Sequence, residues 1–414
     1  MIHIIDKSFC CGCEACVQTC PKQCISFDED EEGFFYPKVD TSQCVECGLC
    51  EKVCPVINKS DKRLPLNVFA AKNKDEQDLL ASSSGGLFVL LAKIILRQGG
   101  VVFGARYDEQ WNVVHSYVEN EKEIKQFLGS KYVQSRIGNT YQETKMFLKA
   151  GRKVLFSGTS CQIAGLKKYL RQDYDILLTV DVICHGVPSP KVWRMYLDEI
   201  RQDAYMNGES ALKSHQKQVS EKGVFSENIK ITNISFRDKR LGWRKYSFVL
   251  TYVKTSTNGK QDTISKSHIF RDNPYMRLYL KNIILRPSCY SCPVKSGGSQ
   301  SDITIGDFWG IENVYPEYDD NRGVGLMIVN TERGKDFTKN IEADMKSVSF
   351  EEAIVANPAY YSSSRIPNNR QSFFKQLDSN IRVSILGKKL TRPTLWQTCR
   401  TFLSNLKRKI LNIY

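Results

Sequence analysis

Eight cysteines in two short runs constrain this chain more than anything else in it. Cys10, Cys13, Cys16 and Cys20, followed by Pro21, spell C-x2-C-x2-C-x3-C-P. Cys44, Cys47, Cys50 and Cys54, followed by Pro55, repeat the pattern. Three thiolates at i, i+3 and i+6 on a tight loop each cap one corner of an iron–sulfur cubane, and a distant fourth caps the last. Gly12 and Gly48 relieve crowding where the backbone wraps the cluster. Structural zinc takes four tetrahedral ligands, usually as two separated pairs, and leaves the third closely spaced cysteine of each run unexplained. The runs predict two 4Fe-4S clusters in the spacing of bacterial ferredoxins, with each fourth cysteine serving the other cluster. Cys11 and Cys24 fall outside the pattern and read as packed, non-ligating thiols.

The chain has 15 cysteines, 10 of them in the first 54 residues. The N-terminus, MIHIIDKSFCC, lacks the order of a signal peptide. The cysteines therefore read as cofactor ligands in a cytoplasmic protein rather than as a disulfide framework. No apolar run reaches the roughly 18 to 20 residues that span a bilayer. Residues 1–60 carry 5 Lys/Arg against 10 Asp/Glu, so a head of −5 precedes a body of +19 in a chain of net charge +14. The basic residues are not interleaved with any nucleic-acid-binding module, which argues against a nucleic-acid partner. The acidic run Asp28 to Glu32 reads as a solvated turn, with a docking surface for a basic partner as the alternative.

After the polar stretch at residues 59–66 the pattern becomes βα. Strands are expected at NVFAAKN, GGVVFGARYD and VVHSYVE, with a helix from Gly86 to Arg97. A βαβ unit follows: a strand from Lys153 to Phe156, a helix from Cys161 to Leu170 and a strand from Ile176 to Ile183. Residues 205–226 read as an exposed insertion. Further strands are expected at Ile229 to Phe236, Tyr246 to Val253 and Asp302 to Gly306, with a helix from Pro274 to Asn282. From Lys388 to Tyr414 there are seven Lys/Arg and no acids. Leu395, Phe402, Leu403, Leu406 and Ile410 recur there at helical spacing, which suits a helix packed on the body or one lying on an anionic membrane.

A third cysteine set is scattered. Cys161 and Cys184 each follow a predicted strand, and Cys289-Tyr-Ser-Cys292 supplies a pair. If the two strands are parallel neighbours, about 4.8 Å apart, both thiols emerge at the carboxyl edge where open α/β sheets bind ligands. Spacing alone leaves a third cluster, structural zinc and free thiols open. Ser82-Ser83-Ser84-Gly85-Gly86 before an apolar helix, and Gly158-Thr159-Ser160 before another, are helix starts suited to a phosphate or to an ordinary serine cap. G-x-G-x-x-G and Walker A patterns are absent, so neither a standard dinucleotide fold nor an ATPase is indicated.

These stretches carry a resemblance. SSSGGLF at Ser82, GSKYVQS at Gly129, FSGTSCQIAGLKKYL at Phe156, DVICHGVPSPKVW at Asp181, SFRDKRLGW at Ser235, LRPSCYSC at Leu285 and SDITIGDFWG at Ser301 stand in order. Over about residues 3–330 the chain resembles the beta subunits of deazaflavin (coenzyme F-420) hydrogenases and dehydrogenases, in the bacterial form with a fused double ferredoxin. Seven-hydroxymethyl chlorophyll reductase is similar through the same core. The resemblance implies an α/β fold with FAD and iron–sulfur clusters, and electron transfer ending in hydride exchange with a soluble acceptor. It implies that Ser83, Ser84, Gly85, Gly86, Lys131, Tyr132, Thr159, Ser160 and Gln162 line the flavin, and it favours a third 4Fe-4S cluster at Cys161, Cys184, Cys289 and Cys292. Homologues also stand in surface-polysaccharide gene clusters.

The expected architecture is an α+β two-cluster ferredoxin domain (1–62) followed by a mixed α/β flavin domain in two parts (63–150 and 151–375), then a basic amphipathic tail (376–414). The expected partner is a redox protein or a small-molecule substrate, with membrane contact only through the tail. Oligomeric state has no signature in the sequence. His185 reads as a histidine orienting the turn before Pro188, with proton donation as the alternative. Arg237, Lys239, Trp243 and Arg244 read either as an anion-binding group or as a solvated strand end.

Overall fold

The computed structural model describes residues 1–206, 228–256, 258–379 and 381–392. Most of the predicted insertion, Cys399 and the apolar positions of the tail helix lie outside the described residues. Among those described, no helix is long and apolar enough to cross a membrane.

The head pairs β1 (Ile25–Glu29) with β2 (Phe35–Val39) in an antiparallel ribbon beside two short helices, Ala15–Thr19 and Leu49–Lys52. The two cysteine runs repeat one backbone path. Gly12 and Glu46 stand at the same place in their runs, as do Glu14 and Gly48, and all four have positive φ. Glu14 holds this left-handed conformation because its carboxylate is fixed, accepting from Ile137 N at 2.9 Å and Arg136 Nε at 3.0 Å.

The body is built on an eight-stranded mixed sheet. Its strands are β3 (Asn67–Asn73), β4 (Val101–Tyr107), β5 (Val113–Val118), β6 (Val154–Thr159), β7 (Leu177–Val182), β11 (Ile303–Asp307), β12 (Gly325–Val329) and β13 (Ala343–Ser347), in the order β13-β3-β12-β11-β7-β6-β4-β5. Strands β4, β6, β7 and β11 run parallel, and the outer pairings are antiparallel. A three-stranded antiparallel sheet, β8 (Ile229–Asp238), β9 (Ser247–Thr255) and β10 (Gln261–Ile269), packs through Trp193, Tyr196, Phe236, Phe248 and Tyr275 onto the helices Pro190–Met206 and Pro274–Leu280. The result is mixed α/β with a ferredoxin-like head.

Strands β1, β2, β10, β12 and β13 went unpredicted. β10 and β13 are polar sheet edges, and β12 is an unbroken apolar run without alternation, which periodicity does not separate from a helix. The acidic run ends β1 and enters its turn with Asp28 and Glu31 exposed, as expected, but it also makes contacts to the body. Glu29 pairs with Arg194, Glu32 with Arg370, and Ser189 Oγ donates to Glu32 O at 2.5 Å. Part of the negative head thus docks on the chain's own positive body. Cys11, Cys13, Ala15 and Val53 complete the apolar layer over Tyr141, Phe156 and Ile163, so the head shares the body's core.

Candidate functional site

The fold sorts the twelve predicted metal ligands into three groups. Cys20, Cys44, Cys47 and Cys50 line one cavity of the head, together with Cys24, whose sulfur lies 3.4 Å from that of Cys20. Cys10, Cys13, Cys16 and Cys54 stay outside that cavity's lining; Cys16 and Cys54 lie near Cys10 and near each other, and Cys50 lies near both. Cys20, the fourth cysteine of the first run, thus lies with the thiols of the second run.

The third set converges as well. β6 and β7 are parallel neighbours, with Thr159 opposite Val182. Cys161 and Cys184 follow their carboxyl ends, and both line a cavity closed by Cys289 and Cys292. Cys11 lines it too, hydrogen-bonded to Cys13 on one side and Cys161 on the other. The hydrogen bond from Cys11 and then burial push the Cys161 thiol up, and burial pushes Cys184 up to about 12 and raises Cys289 and Cys292. Such thiols stay neutral until a cation draws them into the thiolate form, and four soft sulfurs suit iron or zinc.

Beside this site, across a common wall of Thr159 and residues 182–187, lies a cavity of about 1080 Å³. It sits at the carboxyl ends of the parallel strands, and Ala105, Ser157, Gly158, Ile305 and Asp307 face it. Small-molecule sites usually measure about 300–1,000 Å³, so this one has room for a dinucleotide-sized group and a second molecule. Ser83, Ser84, Gly85, Gly86, Lys131, Tyr132, Thr159 and Gln162 line it, whereas Ser160 lines the cysteine cavity instead. The polar groups of the serine loop are largely engaged within the chain. Ser83 Oγ accepts from Ser130 N at 2.6 Å, and Ser84 Oγ donates to Val324 O at 2.9 Å. Gln162 accepts from Thr159 N at 2.9 Å and donates to Ser135 Oγ at 2.9 Å.

Of the basic cluster at the end of β8, Arg244 is exposed at the cavity beside Asp319, whereas Arg237, Lys239 and Trp243 are engaged within the chain. Arg237 is buried in a two-pronged pair with Asp307, both contacts 2.9 Å, and also donates to Tyr132 Oη and Ser83 O. Lys239 Nζ donates to Leu79 O, Ser84 O and Arg322 O, which ties down the serine loop. Trp243 donates to Asp307 at 2.7 Å and stacks on Trp309. His185 is hydrogen-bonded to Asn282 at 2.6 Å and stands in the wall between the two cavities.

Comparison with known proteins agrees with this layout. Residues 151–353 match the family model for the C terminus of the coenzyme F420 hydrogenase/dehydrogenase beta subunit, and residues 9–58 match that of a 4Fe-4S dicluster domain. The chain carries this beta-subunit domain behind a ferredoxin-type head. The coenzyme F420-dependent sulfite reductase of Methanocaldococcus jannaschii is 28% identical over 199 residues, which are 46% of this chain and 30% of that protein. One subunit of the F(420)H(2) dehydrogenase of Methanosarcina mazei is 25% identical over 196 residues, 44% of this chain and 55% of that protein. The 7Fe ferredoxin of Hydrogenibacillus schlegelii is 43% identical over 58 residues, 14% of this chain and 67% of that protein. The chain spans about half or less of the length of the first two relatives. The head is of the 4Fe-4S ferredoxin type.

Around the large cavity, sequence reasoning named Arg244 but missed the rest of the rim and one wall residue. Arg244, Arg271 and Arg365 are exposed residues of the lining, the last two on loops without a distinctive pattern. His115 was legible, since it alternates inward with Val113 on β5. It is 7% exposed, stacks on Phe156 and has Nε2 at 3.0 Å from Ser157 O. A carbonyl only accepts, so Nε2 carries the proton and Nδ1 is left without a partner among the described residues. Burial pulls His115 down from 6.5 to about 4. Below pH 6.5 the unfolded chain takes up a proton that the folded chain refuses, so stability is full above that pH and falls as pH drops toward 4. The loss should approach about 3 kcal/mol, read as denaturant midpoint against pH. His115→Gln should flatten that slope; an identical slope in the variant would assign it to other groups.

Proposed function

We propose that this chain is an oxidoreductase passing electrons between ferredoxin-type 4Fe-4S clusters and FAD, and exchanging a hydride with an organic substrate. In this reading Cys10, Cys13, Cys16 and Cys54 hold one cluster, Cys20, Cys44, Cys47 and Cys50 a second, and Cys161, Cys184, Cys289 and Cys292 a third. Ser83 to Gly86, Lys131, Tyr132, Thr159 and Gln162 contact the flavin, with Ser160 at the wall toward the third site. Bound flavin supplies the conversion between one-electron and two-electron transfer. Lys239 and Arg237 hold the serine loop, and Asp307 orients Arg237 and Trp243. The exposed Arg244, Arg271 and Arg365 suit an anionic substrate at the rim.

One observation carries the reading: the third cysteine cavity and the large cavity are contiguous, and the head reaches the first of them. Cys11 of the head lines the third cysteine cavity, and Cys184 and His185 line both that cavity and the large one. A second reading, a relay subunit serving a catalytic partner, is favoured by the relative named as a subunit of an F(420)H(2) dehydrogenase. The link to surface-polysaccharide metabolism rests on resemblance alone. Anaerobic purification, assay of iron and extracted flavin, then a screen of donors and acceptors with flavin bleaching as readout, tests all of this. Reduced F420 and anionic sugar derivatives belong in the screen. FAD with turnover of a small molecule is expected. FMN alone would overturn the cofactor choice, and bleaching that only a partner protein reverses would favour the relay.

A further inference from the structure

Arg286 is fully buried, yet among the described residues no carboxylate pairs with it. It stands on the body, three residues before Cys289, and its guanidinium reaches into the head. Nε donates to Cys10 O at 2.7 Å, and Nη2 donates to Phe35 O at 2.9 Å and lies 3.5 Å from Cys10 Sγ. Nη1 donates to Gln134 Oε1 at 3.0 Å, and Tyr36 lies face-on, 4.3 Å from the guanidinium carbon. The approach depends on Gly12, whose φ is +71°, because a Cβ there would meet the guanidinium carbon at 3.0 Å. A buried cation facing only carbonyls, an amide and a ring is costly unless a negative charge lies close. The thiolates of Cys10, Cys13, Cys16 and Cys54 supply that charge once they hold a cluster.

We propose that Arg286 is the counter-ion and potential-setting residue of the ferredoxin site formed by Cys10, Cys13, Cys16 and Cys54. The proposal rests on the cluster assignment given above. It acts through Cys10 and touches neither substrate nor flavin, so it is a positioning residue. Hydrogen bonds to cluster sulfurs and nearby positive charge both favour the reduced, more negative state. The site around Cys20, Cys44, Cys47 and Cys50 has no buried side-chain cation of this kind among the described residues; it takes one backbone hydrogen bond, from Ile2 N to Cys50 Sγ at 3.3 Å, and lies near the N-terminal ammonium. Arg286 therefore raises the potential of the site nearer the third cysteine set above what its burial alone would give.

The test is a redox titration of the full chain, purified anaerobically and followed by the paramagnetic signals of its reduced clusters. Arg286→Gln should keep its iron and make one ferredoxin signal harder to reduce, by at least tenfold in the one-electron equilibrium constant, or about 59 mV. The other ferredoxin signal should stay in place. Gln134→Glu is a second route that leaves Arg286 intact. It sets a carboxylate against Nη1, cancels the charge without a change of size, and should move the same signal in the same direction. Loaded variants with unmoved potentials would overturn the proposal alone, as would an equal shift of both signals. A parent chain free of iron would overturn it together with the cluster assignment on which it rests.

Discussion

Changing Cys289 and Cys292 together to serine should leave anaerobically purified protein with about eight iron atoms where the parent holds about twelve. Reduction of the flavin by the head should slow by more than an order of magnitude. Serine hydroxyls are poor ligands for iron, and this pair closes a cavity whose other thiols come from the ends of β6 and β7. The loop is fixed on both sides: Val187 N donates to Cys289 Sγ at 3.4 Å, and Cys292 N donates to Ser363 Oγ at 2.9 Å. A site assembled from three separate segments ties the body together, so its loss should also lower the thermal midpoint. The paramagnetic signals of the head should persist, since their thiols lie on residues 10–54. Iron and zinc assays with rapid-mixing reduction decide the matter. A parent with about eight iron atoms and one zinc per chain would make the third set a structural metal site, with electrons reaching the flavin by another route.

What was legible here divides by the range of the signal. Spacing of cysteines along a short loop is local, so the dicluster character of the head could be read from it. The parallel pairing of β6 and β7 followed from a βαβ unit of ordinary length, and it brought Cys161 and Cys184 to one edge. Two of the four left-handed positions could be named because they are glycines. The others are Glu14 and Glu46, and only the fold shows what holds Glu14, namely Arg136 and Ile137 N about 120 residues away. Charge was misread for the same reason. Glu32 looked like one of a run of solvated acids until its partner Arg370, 338 residues on, was seen beside it. Lys239 and Arg237 looked like free cations because their carbonyl and carboxylate partners lie on the serine loop and β11. Long-range pairing of polar groups leaves no period in a sequence. Where a helix or strand buries one face it does.

Gly85→Ala, the smallest possible change in the serine loop, should strip most of the FAD from the protein while iron content stays at the parent level. A Cβ at Gly85 would lie 2.4 Å from Ala71 O and 2.4 Å from Gly325 N. Both are backbone atoms of the adjacent strands β3 and β12, whose own pairing sets Gly325 against Ala71, so neither strand gives way alone. The loop must lift instead. Lifting strains the hydrogen bond from Asn73 N to Gly85 O at 2.8 Å, and those from Lys239 to Ser84 O and from Arg237 to Ser83 O. Each is worth about 1 kcal/mol, and overpacking of this kind typically costs about 1–3 kcal/mol. The thermal midpoint should therefore fall by several degrees. Ser84→Ala makes the contrast. It removes a hydroxyl that donates to Val324 O and leaves the loop's path unobstructed, so flavin retention should drop no more than a few-fold. If instead Ser84→Ala empties the site and Gly85→Ala does not, the hydroxyl itself would be the flavin contact, and the close seating of the loop on the sheet would matter only for stability.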